Sequence, residues 1–175
     1  MTSESTGHPA GQRRRRRIAM SAEERDAFLT SSRVGRVASL GRHGEPVVTP
    51  LWFHWDGTAI WLSSVVRSQR WVNLARDPRV AVMVDDGEAY EELRGVELSG
   101  RAHPVGDIPR AGADWPELEA VESAYAVKYS VAPDHLYDGL HAWIRIEVER
   151  EVSWDHAKIP AVQGAKSPAQ QGFPQ

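Results

Sequence analysis

Residues 61–70 read Trp-Leu-Ser-Ser-Val-Val-Arg-Ser-Gln-Arg, which gathers three serine hydroxyls and two guanidinium groups where an extended run gives way to a helix start. Free N–H groups and the dipole at a helix N-terminus attract anions, Ser68 can donate its hydroxyl, and Arg70 can grip phosphate oxygens in a fork. That is a phosphate site in outline. The same residues also suit an ordinary N-cap at Ser68 with solvated arginines around it, and this stretch by itself does not separate the two readings. Context comes from Pro50, which sits inside an otherwise regular strand. Its missing N–H must fall at an edge or a bulge, where backbone groups are free to meet a ligand. Trp52 and Trp61 are expected on paired strands close by, with core packing as their default role.

Other chemistries find little support. There is no G-x-S-x-G, no P-loop, no G-x-G-x-x-G after a strand and no H-E-x-x-H, so hydrolase and kinase readings have no basis. Cysteine is absent, which removes disulfides, thiolate metal sites and cysteine nucleophiles. The seven histidines are scattered without a helical pair or a cluster with carboxylates, and no metal site is expected. His54 reads as the end of a strand.

The elements that must position residues 61–70 follow from local signals. Ser21 and Glu24 form a capping box ahead of a helix over 22–29, with Phe28 and Leu29 as its apolar face. Residues 33–40 are β-prone and end in the Gly41–Gly44 turn, residues 46–54 run extended, and Asp56-Gly57 marks a hairpin into a strand over 59–64. Three consecutive antiparallel strands are the simplest reading. Ser68 caps a helix through Ala75, which Asp77-Pro78 stops. Strands are expected over 79–84 and 93–105, an amphipathic helix over 115–129, and a strand over 143–148 that 152–154 extends. Six or so short strands with two or three helices indicate a mainly β fold, a closed antiparallel sheet with flanking helices.

At 175 residues the chain suits one domain. No apolar run approaches the roughly 20 residues of a membrane span, and no secretion signal is read, which points to the cytoplasm. Net charge is −3, yet residues 1–17 hold five arginines (Arg13 to Arg17) against Glu4, so the rest of the chain is acidic. The sequence divides into a disordered Arg-rich tail over 1–19, a folded domain over 20–158 and a flexible tail over 159–175. The arginine run reads as a solubilising tail, with a nucleic-acid arm as the alternative; nucleic acid is not an expected partner.

The order of these features resembles the pyridoxamine 5'-phosphate oxidase-like split-barrel superfamily. The resemblance rests on residues 32–40, Gly44-Glu45-Pro46, residues 56–61, Ser68-Gln69-Arg70 and Asn73-Leu74-Ala75-Arg76-Asp77-Pro78-Arg79-Val80, and spans about residues 20–158. Leu93-Arg94-Gly95-Val96 and Ser153-Trp154-Asp155-His156-Ala157-Lys158 are similar to the actinobacterial flavin/deazaflavin branch, many of whose members use coenzyme F420. The resemblance implies a six-stranded antiparallel split β-barrel that forms a homodimer with cofactor sites at the subunit interface. It places the cofactor phosphate at Ser68, Gln69 and Arg70, the ring against Val48, Thr49, Pro50, Ser63 and Ser64, and a segment carrying Trp154 and Lys158 over the partner's site. Arg70 stands where lysine is commoner, which keeps the charge and changes a point contact into a fork. The implied activity is hydride transfer from reduced F420 to an unsaturated small organic substrate, with no catalytic side chain assigned. FMN is the alternative cofactor, and a non-catalytic cofactor- or haem-binding protein is the alternative of a different class.

Overall fold

The computed structural model describes residues 17–160. The expectations for the tails, including Arg13 to Arg16 and everything beyond Pro160, lie outside the described residues. The first helix, α1 (Ala22–Ser31), starts at the anticipated capping box: Ser21 Oγ accepts the Glu24 N–H at 3.2 Å and the Glu24 carboxylate accepts the Ser21 N–H at 2.7 Å. It buries Phe28 and Leu29. The strands β1 (Val34–Leu40) and β2 (Pro46–Trp52) form an antiparallel hairpin, and Gly44 supplies the positive φ of 84° in the turn between them.

The chain then departs from three strands in a row. Residues 46–54 do not form one strand; the run breaks at Phe53, and His54–Trp55 forms a separate short strand, β3. It pairs with β4 (Ala59–Val65) through the Asp56-Gly57 turn, so Trp61 lies opposite His54 and not on a strand paired with that of Trp52. The physical reason is the backbone of Phe53, which leaves the ladder and is satisfied by a helix. Its N–H donates to the Tyr129 hydroxyl at 2.9 Å, and its carbonyl accepts from that hydroxyl at 2.8 Å and from Lys128 Nζ at 3.1 Å. A buried backbone group released from a ladder demands such partners.

After the short helix α2 (Gln69–Arg76), the strands β5 (Arg79–Asp86), β6 (Arg94–Val105) and β7 (His141–Asp155) complete one antiparallel sheet, with α3 (Pro116–Tyr129) between the last two. The sheet has seven strands in the order β2-β1-β5-β6-β7-β4-β3, against the six expected. The extra strand is β3, while 143–148 and 152–154 belong to the single long β7. Strands β2 and β3 are neighbours in sequence but stand at opposite ends of this order, joined by one residue. Across one intervening residue the chain spans no more than about 7 Å, so the two ends of the sheet must meet. The sheet therefore curls into a half-barrel with a seam between β2 and the β3–β4 pair. Curvature is eased by a register shift at Ser99/Gly100, where an added Cβ would lie 1.8 Å from the Glu147 carbonyl oxygen.

Strand β4 is buried on both faces. Ile60 and Leu62 join the barrel core with Val37, Val82, Leu98 and Ile146, whereas Ala59 and Trp61 pack under α3 with Leu118, Tyr125 and Trp143. No helix among the described residues is long and apolar enough to cross a membrane.

Two outcomes test the Phe53 junction. Tyr129→Phe strands the Phe53 N–H and is expected to cost about 1–3 kcal/mol, read as a lower urea midpoint with an unchanged slope. Burial and the charge of Arg33 lower the Lys128 pKa from 10.5 to about 8. The folded state then binds fewer protons than the unfolded one between those values, and stability rises with pH across that window. Wild type should gain stability relative to Lys128→Met between pH 8 and about pH 10, and a constant difference would refute the assignment.

Candidate functional site

The seam is where the predicted chemistry gathers. Helix α2 begins beside it, with Ser68 as N-cap accepting the Trp71 N–H at 3.2 Å, which leaves the N–H groups of Gln69 and Arg70 outside the helix's own ladder. The first turn has no acidic residue and instead carries Arg70, a cation against the positive end of the helix dipole. Arg70 does not extend into solvent. It folds across the seam, Nη1 donating to Thr49 Oγ1 on β2 at 3.1 Å and Nη2 to Ser64 Oγ on β4 at 3.1 Å. Side-chain hydrogen bonds thus tie the two strands.

Arg70 is only 9% exposed, its Nε has no hydrogen-bond partner, and burial lowers its pKa. Among the described residues no carboxylate pairs with it. Arg110, the other buried arginine, is 4% exposed, yet its guanidinium meets Glu122 at 2.7 Å and Asp107 at 2.7 Å. The chain neutralises a buried guanidinium in one place and leaves one uncompensated in the other. Burying an unpaired charge is costly, and an anionic group at the seam would offset that cost. The residues present fit a phosphate-bearing group on this ground.

On the other face of β2 and β4, where Pro50 and Ser63 point away from Thr49 and Ser64, a cleft of about 300 Å³ is lined by Val34, Pro50, Leu51, Trp52, Ser63 and Tyr125. Pro50 belongs to β2, an end strand of the sheet order, as its missing N–H requires. Trp52 is 43% exposed and stacks on Tyr129 with ring centroids 4.4 Å apart and planes 11° apart. The Arg33 guanidinium lies 5.9 Å from the Trp52 ring centre and 4.9 Å from that of Tyr129. Trp61, in contrast, is a core residue.

Of the residues anticipated from sequence, Thr49, Ser64 and Arg70 are joined by hydrogen bonds, and Pro50 and Ser63 line the cleft on the other face of their strands. Val48 is exposed on β2, and Ser68 and Gln69 serve the helix, the Gln69 amide donating to Asn73 at 2.9 Å. Trp154 and Lys158 are elsewhere in the chain. Trp154 covers Gly95, and the Lys158 ammonium contacts Glu24 and the Ala19 carbonyl. Ser64 pairs with Ala142 near the start of β7 and Trp154 lies near its end, about 40 Å further along the strand path. His54 begins a strand and does not end one; burial and the Lys128 charge lower its pKa. The site residues that sequence reasoning missed are Tyr125, Tyr129 and Arg33. The i, i+4 spacing of the two tyrosines was the available signal, but it reads equally well as a core stripe.

This curled sheet with a tied seam has relatives. Residues 21–155 match the family described as Pyridoxamine 5'-phosphate oxidase. The chain belongs to that family. A 5a,11a-dehydrotetracycline/5a,11a-dehydrooxytetracycline reductase of Streptomyces rimosus is 32% identical over 123 residues, covering 66% of this chain and 86% of the relative. The crystal structure of a conserved hypothetical protein from Mycobacterium tuberculosis superposes with a TM-score of 0.71 at 33% identity, covering 88% of this chain and 96% of the other. An F420 reductase superposes with a TM-score of 0.56 at 21% identity, over 72% of this chain and 94% of that one, and shares the fold. These matches put the chain in the pyridoxamine 5'-phosphate oxidase-like superfamily, with a reductase among its relatives.

Replacing Arg70 with methionine separates a structural tie from a ligand site. Since the guanidinium has no buried counter-charge, Arg70→Met should change unfolding free energy by less than about 1 kcal/mol. It should weaken binding of a phosphate-bearing cofactor by about 10- to 100-fold in a fluorescence titration. Loss of stability with unchanged affinity would make Arg70 a fold residue only.

Proposed function

We propose that this protein is an oxidoreductase that uses reduced F420 to reduce a conjugated carbon–carbon double bond in a small organic substrate. The observation that carries the reading is the buried, uncompensated Arg70 at the seam between β2 and β4, strands whose other face lines a cleft containing Trp52. Arg70, the Ser68 hydroxyl and the first N–H groups of α2 would hold the phosphate. Pro50, Trp52 and Ser63 would seat the ring and keep water from it. The deazaflavin supplies hydride chemistry when bound, and the protein contributes position and shielding. The preference for F420 over FMN rests on the resemblance of Leu93-Arg94-Gly95-Val96 and of residues 153–158 to the deazaflavin branch. The substrate class is supported by the relative from Streptomyces, whose name describes reduction of a dehydrotetracycline.

A homodimer belongs to the same proposal. Val34, Val48 and Trp52 leave apolar surface exposed on the β1–β2 hairpin beside the cleft. Trp154 and Lys158, remote from Arg70 along the chain, would then complete the site from a second copy.

Titrating the purified protein with F420 and with FMN, followed by reduction of a panel of conjugated enones, checks the reading. Micromolar binding of F420 with turnover is the expected outcome. Tight FMN binding with a yellow protein would move the assignment to FMN, and absence of binding by both would end it.

A further inference from the structure

The cleft beside the seam contains a polar group with no task so far. Tyr125 is 6% exposed, and its ring is held by Tyr129, 4.6 Å away between centroids, and by the edge of Trp143 at 5.2 Å and 89°. Two other tyrosines of this region spend their hydroxyls inside the protein: Tyr129 on the Phe53 backbone, and Tyr137 on Glu122 at 2.8 Å. The Tyr125 hydroxyl has no hydrogen-bond partner among the described residues. Arg70 Nε is the one fully enclosed side-chain polar atom there without a partner, so the Tyr125 oxygen is not sealed in the core. Tyr125 is also one of the residues that line the cleft. A phenylalanine would fill the same space between Tyr129 and Trp143 without the unmade hydrogen bond.

The surroundings define what would satisfy it. The cleft offers the exposed part of Trp52, the N–H-free Pro50 and the Ser63 hydroxyl, which also lacks a partner among the described residues. Flat apolar walls favour a planar ring, and hydroxyls on its rim favour acceptor atoms on that ring. Burial and the neighbouring Tyr129 raise the pKa of Tyr125, so the phenol keeps its proton and acts as a donor.

We infer that the Tyr125 hydroxyl donates a hydrogen bond to a carbonyl oxygen of a planar conjugated ring seated between Trp52 and Ser63, making it the residue that selects ring-carbonyl ligands. The oxidoreductase reading enters only in naming the ring's source, which is either the dione ring of the cofactor or the substrate.

Wild type and Tyr125→Phe are compared in three titrations of the protein without added cofactor, using F420, FMN and the quinone menadione, followed by tryptophan quenching. The thermal midpoint should be equal in the two proteins, because the hydroxyl serves no internal bond. Affinity for at least one probe should fall tenfold or more, the size of one lost hydrogen bond. A loss confined to F420 or FMN assigns the ring to the cofactor, and a loss confined to menadione assigns it to the acceptor. Equal affinities for every probe, or no binding of any probe by wild type, overturns the inference. Tyr125-dependent binding of menadione alone would sustain it while removing the cofactor reading. Cofactor binding that ignores the substitution, with menadione equally indifferent, would do the reverse.

Discussion

One residue joins the two ends of the sheet, and the rest of the molecule accommodates that link. Trp52 closes β2, His54 opens β3, and Phe53 between them is fully buried. A strand pair at each end of a seven-strand order cannot be joined by so short a link unless the sheet curls until its ends meet. The seam, the cleft beside it and the approach of α2 to β2 all follow. Because Phe53 has left both ladders, its N–H and carbonyl need partners, and α3 supplies them through Tyr129 and Lys128. The helix is thereby fixed against the seam, which places Tyr125 in the wall of the cleft. Fold closure and site construction are the same event.

Electrostatics distinguishes the seam from the rest of the protein. Surface arginines of β1, α1 and β6 meet carboxylates, and the buried Arg110 meets two. At the seam, Arg70 meets only hydroxyls, while Lys128 meets carbonyl oxygens and aromatic faces. Among the described residues neither cation has a carboxylate partner, in a chain whose net charge is −3. Such an arrangement suits an anionic ligand with a flat ring better than it suits stability alone. It also explains why Arg differs from Lys at position 70: a planar fork can bridge two strands and retain a third donor.

Local physics was legible in the residues. The capping box at Ser21 and Glu24, the Asp56-Gly57 turn, the N-cap at Ser68 and the stop at Asp77-Pro78 depend on contacts within a few positions, and each element begins or ends about where they put it. Pro50 announced an edge for the same reason, since a missing donor is a property of one residue. Thr49 and Ser64 were expected against a ring and Arg70 at a phosphate; that hydrogen bonds join the three under the seam was not legible. Pairing was not legible. Nothing in the run from Pro46 to His54 distinguishes one long strand from two strands in different ladders, because the break is stabilised by Tyr129, far along the chain.

Side-chain assignments divide along the same line. That the chain is mainly β with flanking helices, that it has no cysteine chemistry, and that a serine and an arginine meet at the start of a short helix are consequences of composition and short-range spacing. Which tryptophan is core and which is a wall of the cleft, which buried arginine is neutralised, and which tyrosine hydroxyl is left over depend on partners from distant segments. Hydrogen bonding and burial are properties of assembled surroundings, so only the closed sheet could decide them.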